Sequence, residues 1–150
     1  MGFFDNPQFQ IVLQLVLAAV LGALLGLERE YRRKEAGLRT YSLVSLGSAF
    51  FTIISYESLK LFGSQVVDFD PTRIIGQIVL GVGFLGAGLI IFRGVHVEGL
   101  TTAAGLWVAA AIGAAIGTKL YFFALFATFL SILILAGLRS AEEKIFNKDN

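Results

Sequence analysis

The sequence predicts an all-α, polytopic membrane bundle of five transmembrane helices, with the N-terminus outside and the C-terminus in the cytoplasm. Three observations carry this expectation. Hydrophobic residues make up 56% and charged residues 15% of the 150 residues, with a mean hydropathy of +0.77. A soluble domain is roughly 45–50% apolar and about 25% charged. Seventeen glycines stand against two prolines, a balance suited to packed membrane helices. The apolar residues also gather into runs near the length of about 20 that crosses a bilayer. The length is that of a single domain. A net charge of +1 with high hydrophobicity excludes disorder and argues against nucleic acid as a partner. The absence of cysteine excludes a disulfide scaffold, a thiolate zinc site and a cysteine nucleophile.

The spans are expected at about 7–27, 41–59, 71–92, 101–117 and 120–138. Asn6-Pro7 and Asp70-Pro71 open the first and third, each placing a capping side chain before a proline at the first helical position. Thr101 is the expected cap of the fourth. The fourth and fifth are divided at Gly117-Thr118-Lys119, where a glycine and a charge interrupt the apolar run. The first run has no preceding Lys or Arg and is longer than a signal-peptide core, so it reads as a span.

Basic residues set the orientation. Arg29, Arg32, Arg33, Lys34 and Arg39 fall in or beside the first loop. Arg93 falls in the third, and Arg139, Lys144 and Lys148 in the tail. Only Lys60, Arg73 and Lys119 fall on the other side. The excess places the first and third loops and the tail in the cytoplasm, where Arg32-Arg33-Lys34 would meet anionic lipid headgroups.

Small residues recur at every fourth position in the first span, at Ala18, Gly22 and Gly26. They recur again in the fourth, at Gly105, Ala109, Gly113 and Gly117. In lipid, helices associate largely through close backbone approach at such stripes. The stripes are expected to pack the bundle, or in part to form a homo-oligomer or partner face, with the Gly105–Gly117 stripe one candidate for docking. Gly81, Gly83, Gly86 and Gly88 in the third span read as packing residues too. Gly81-Val82-Gly83-Phe84-Leu85-Gly86 matches a dinucleotide fingerprint in letters but lies inside one apolar run. The fingerprint needs a strand before it and a helix after it. A weak echo relates Gln14-Leu15-Val16-Leu17 to Gln77-Ile78-Val79-Leu80, and Gly37-Leu38-Arg39-Thr40 to Gly99-Leu100-Thr101-Thr102. It suggests a parallel repeat of two helix hairpins.

Polar residues within spans are costly and usually face the bundle interior. Gln14 and Gln77 are the clearest, and with a true repeat they would meet near its axis. Arg73, Gln77 and Gly81 share one helix face. The functional expectation is a polar path entered from outside, and the structural alternative is a pair of interhelical hydrogen bonds. Glu28 is expected to pair with Arg32 or Arg39 at the cytoplasmic rim. Asp68 and Asp70 are weak candidates for a magnesium ion held through waters, with Asp70 also a helix cap. No other cofactor is expected. His96, in the third loop, is a candidate pH-sensitive group. No phosphate-binding loop, nucleophile elbow or HExxH pattern is present. No span carries a carboxylate pair, so no enzyme is expected.

These residues also resemble a known family. Gly26-Leu27-Glu28-Arg29-Glu30, Ala36-Gly37-Leu38-Arg39-Thr40 and Asp70-Pro71-Thr72-Arg73-Ile74 match it. So do Gly81 through Gly88 and Val97-Glu98-Gly99-Leu100-Thr101-Thr102-Ala103-Ala104 with Leu106-Trp107. Together they resemble the MgtC/SapB family of bacterial membrane proteins over roughly residues 10–138. The resemblance implies a multi-pass protein of the bacterial inner membrane, linked to growth in low magnesium and, in pathogens, to survival inside macrophages. It implies either a transporter or channel-like element of magnesium or ion homeostasis, or a regulator that binds a membrane ATPase. The F-type ATP synthase and a cation pump are the expected kinds of partner. Gln14, Glu28, Arg39, Asp70, Arg73, Gln77 and Thr102 are the candidate path or binding residues. Many relatives carry a soluble domain after the fifth span. Here only about a dozen residues follow Leu138, so the expectation is a transmembrane domain without that addition.

Overall fold

The structure, a computed structural model, describes residues 6–62, 70 and 72–138. Helix α1 (Pro7–Tyr31) opens as the sequence indicates: Asn6 Oδ1 accepts from Gln8 N–H at 2.9 Å and Pro7 occupies the first turn. Helix α2 (Leu38–Phe62) follows a short loop. Its first N–H, on Leu38, donates to Glu30 Oε2 at 3.2 Å, so a carboxylate from α1 satisfies an otherwise orphan donor. Both helices exceed their expected apolar cores because their polar ends continue the same helical path.

Helix α3 (Thr72–Leu89) begins with Arg73 N–H donating to the Asp70 carbonyl. It ends earlier than position 92. Ile90 N–H closes a tight turn onto Ala87, and the chain forms a two-stranded antiparallel ribbon, β1 (Ile91–Arg93) and β2 (His96–Glu98). Phe92 faces Val97 and Arg93 faces His96 across the ribbon. Apolar character alone cannot separate such a strand from another helical turn. Helix α4 (Leu100–Gly117) is capped by Gly99, not Thr101. Gly99 has φ 88°, and a Cβ there would overlap the Leu89 carbonyl, so the turn from ribbon to helix needs glycine. Lys119 takes a left-handed φ of 63° and separates α4 from α5 (Tyr121–Leu133), which runs into a π-helical turn, Ile134–Leu138.

Among the described residues, four helices are long and apolar enough to cross a membrane, and Arg73–Leu89 is a shorter apolar helix. The chain is an all-α membrane bundle, with one short ribbon at a loop. Helix α2 packs against both α1 and α4, which also touch each other. The glycine stripes make this possible. A Cβ on Gly22 would lie 2.5 Å from the Tyr41 carbonyl oxygen, and one on Gly26 would lie 2.6 Å from Leu38 Cα. On α4, Gly105 accommodates the Tyr41 hydroxyl, Gly113 the Ser45 backbone and Gly117 the Thr52 side chain. The Gly105–Gly117 stripe is thus enclosed against α2 and is not an open docking face. Helix α3 differs. Gly86 makes ordinary contact with Ala103, but Cβ atoms at Gly81, Gly83 and Gly88 would meet nothing within 4 Å. These three do not pack the described bundle.

Candidate functional site

Two groups of polar residues lie at opposite ends of the bundle. At the end the charge balance assigns to the outside, Gln14 is buried between α1 and α4. Its Nε2 donates to the Ile116 carbonyl at 2.7 Å and more distantly to that of Gly117. Those carbonyls belong to the last turn of α4, where that of Ile116 also accepts from the Lys119 N–H at 3.0 Å, so Gln14 adds a side-chain donor at a helix end. Gln77 lies elsewhere, exposed in a groove of about 720 Å³ between α2 and α3. Each glutamine has its own surroundings, so the structure does not join them into one path. Arg73 is exposed on the same side of α3 as Gln77. Asp70 is exposed, and Asp68 lies outside the described residues.

The opposite end gathers the α1–α2 loop, the ribbon, the start of α4 and the end of α5 around a cleft of about 850 Å³. Arg29 is 97% buried and its guanidinium donates to Glu28, whose second oxygen stands 3.7 Å from Arg32 Nε. Sequence reasoning missed Arg29 because adjacent helix positions do not normally face each other. Burial demands the pairing, since an unpaired guanidinium away from water is very costly. Arg39 is exposed and makes no ion pair among the described residues. Thr102 is buried. Its hydroxyl donates to Glu35 Oε2 at 3.0 Å, and its carbonyl accepts from the Tyr41 hydroxyl at 2.9 Å. One threonine therefore ties α4 to both the first loop and α2. The Glu35 carboxyl is held below its ordinary value of 4.5, first by a backbone N–H of its own residue and then by Thr102, with help from Lys34 and Arg29. His96 lies exposed in the ribbon.

A third feature went unread in the sequence. Tyr41, Ser45, Ser48, Thr52 and Ser55 are all buried on one side of α2. Their spacing of four, three, four and three is itself a one-face pattern, and it was the available signal. The Thr52 hydroxyl returns to the Ser48 carbonyl at 2.8 Å, while Ser45 Oγ has no hydrogen-bond partner among the described residues.

Four helices long and apolar enough to cross a bilayer, with many exposed large apolar side chains, define a multi-pass membrane protein. The matching family model, described as the MgtC family, covers residues 15–144. The chain belongs to that family and is a multi-pass protein of the bacterial inner membrane. It is similar to YhiD of Escherichia coli (strain K12), with 40% identity over 141 residues, covering 93% of this chain and 66% of that protein. It is similar to Protein MgtC of Brucella abortus (strain 2308), with 46% identity over 116 residues, covering 77% and 45%. Protein MgtC of Salmonella typhimurium (strain 14028s / SGSC 2262) is 42% identical over 137 residues, covering 91% and 56%. The chain thus spans about half to two thirds of these relatives' length. No solved structure matches it.

Proposed function

We propose that the chain is a membrane protein of magnesium homeostasis that acts as a regulator, through contact with another membrane complex, and does not itself conduct an ion. The magnesium link rests on its family and on YhiD, whose name proposes a magnesium transporter. The regulatory reading rests on where the intramembrane polar groups point. Gln14 is committed to the α4 carbonyls, and the α2 hydroxyl row is pressed against the α4 glycines. Arg73 is exposed, and Gln77 opens into the mostly apolar α2–α3 groove, apart from Gln14. Among the described residues no group of three or more His, Asp or Glu is placed to hold a metal ion. A membrane ATPase, such as the F-type ATP synthase or a cation pump, is the class of complex proposed as partner.

The test is magnesium and proton flux in liposomes holding only this chain. The regulatory reading expects no flux above the lipid background. A second reading is transport along the α2–α4 interface, favoured by the unpartnered Ser45 hydroxyl in an otherwise buried polar row. Flux that disappears with Ser45→Ala or Gln14→Leu would establish that reading and overturn the first.

A further inference from the structure

We infer that the β1–β2 ribbon is an interfacial anchor, lying along the cytoplasmic surface of the bilayer with Phe92 and Val95 seated where lipid headgroups meet acyl chains. The inference is independent of the regulatory reading. The register gives the ribbon two unlike faces. Directly opposed residues share a face, and successive pairs alternate between faces. Phe92 opposes Val97, so these two apolar side chains take one face. Ile91 with Glu98 and Arg93 with His96 take the other, where Arg93 Nε stands 3.3 Å from Glu98 Oε2. Gly94, at φ 63°, turns the chain and leaves Val95 at the tip. Val95 is 93% exposed and Phe92 76%, so the rest of the described chain covers neither. Apolar groups left bare in this way mark a protein or a membrane contact.

Depth selects the membrane. Arg73 marks the outer end of α3, and Lys119 the outer turn between α4 and α5. From Arg73 to Leu89 the helix rises about 24 Å, and from Gly117 back to Leu100 about 26 Å, at 1.5 Å per residue. The hydrocarbon core is about 30 Å thick, and any tilt shortens a helix's reach across it. Both helices therefore stop short of the far side, and the ribbon that joins them starts at the edge of the hydrocarbon, before the chain has reached open water. Helix α5 gives the same level. Val97 and Glu98 share the cytoplasmic cleft with Ile134, Leu135 and Leu138, so β2 stands beside the last apolar turn of that helix. The backbone sets the opposite limit. A two-stranded ribbon leaves N–H and C=O groups unpaired along both outer edges. Hydrocarbon cannot satisfy them, whereas headgroups and interfacial water can. The ribbon is thus held in the interface, with Phe92 and Val95 toward the acyl chains and Arg93 able to reach anionic headgroups.

Because the chain has no cysteine, a fluorophore can be attached at one position at a time. Phe92→Cys and Val95→Cys are labelled with an environment-sensitive dye in the full chain, reconstituted in vesicles of phosphatidylethanolamine and phosphatidylglycerol. Lys34→Cys, exposed in the first loop, and Leu80→Cys, exposed within α3, are the references for water and for the membrane interior. Two quenchers report depth: iodide on both sides of the membrane, and lipids brominated on the acyl chain close to the headgroup. Labels at 92 and 95 are expected to be quenched by the brominated lipids and shielded from iodide, with the reverse at 34. Val95→Asp should move a label at 92 into water, with loss of lipid quenching and gain of iodide quenching. Both side chains are exposed, so these substitutions leave the bundle's packing intact, and each labelled position keeps the other's native residue. The proposal is overturned if either label is quenched by iodide as fully as the label at 34. Shielding of either label from iodide and brominated lipid alike, as a covering protein would produce, also overturns it. So does lipid quenching at 92 that Val95→Asp leaves unchanged.

Discussion

Alanine placed at two glycines of this bundle should have opposite effects. At Gly113 the added Cβ runs into the Ser45 carbonyl and its backbone neighbours. Backbone cannot swing aside as a side chain does, so α4 must separate from α2 to restore ordinary contact distances of about 3.5–4.0 Å. Overpacking costs about 1–3 kcal/mol, and a clash with backbone belongs at the upper end of that range. Replacing glycine within a helix returns up to about 1 kcal/mol. The expected net loss for Gly113→Ala is therefore about 2 kcal/mol. At Gly83 the same Cβ meets nothing within 4 Å. Only the propensity gain remains, so Gly83→Ala should be neutral or stabilising by up to about 1 kcal/mol. The assay is reversible unfolding in mixed micelles, followed by circular dichroism. A Gly113→Ala protein as stable as the parent would refute the argument that α2 and α4 meet backbone to backbone at Ser45.

Three further outcomes are expected. Gln14→Leu should cost about 1 kcal/mol in the same assay, because it removes the donor to the Ile116 carbonyl in an apolar site of similar volume, and an unchanged midpoint would contradict this. Glu28→Gln leaves the buried Arg29 guanidinium without its counter-charge and should cost about 3 kcal/mol. By contrast, Arg32→Gln should change stability by less than about 0.5 kcal/mol, since Arg32 is partly exposed and 3.7 Å from Glu28; equal losses in the two variants would refute the pairing order. Glu35 titrates below its ordinary 4.5, so its contribution is complete above pH 4.5 and is lost as pH falls through the lower folded value. A carboxyl titration by NMR should show Thr102→Val moving Glu35 upward, and a parent Glu35 titrating at or above 4.5 would exclude the hydrogen-bonded arrangement.

How much of this was legible depends on how local each feature is. The Asn6-Pro7 cap is a contact between residues two apart, and it reads directly from the chain. The division at Gly117-Thr118-Lys119 is equally local. The end of α3 was less legible, because Ile91 and Phe92 satisfy an apolar run whether they are helical or extended. The site was legible only in part. Gln14, Glu28 and Thr102 stand out by type. The partner of Gln14 lies 102 residues away, and the Glu35 carboxylate that receives Thr102 lies 67 residues away. Arg29 was hidden by a general rule about helix neighbours that burial overrides here.

The sequence by itself determined that this protein lives in a membrane, roughly where it crosses, and which loops share a side. Transfer of apolar residues into lipid adds up residue by residue along a segment, and basic residues near the ends bias insertion locally. Tertiary structure alone decided which faces turn inward. A soluble helix announces its buried side by its apolar stripe, but a membrane helix is apolar all round. The choice then falls to shape and to hydrogen-bond demand. Gly22, Gly105, Gly113 and Gly117 let α2 approach closely and became interior. Gly81, Gly83 and Gly88, identical in composition, stay open because no group of the described chain comes within 4 Å of where their Cβ would be.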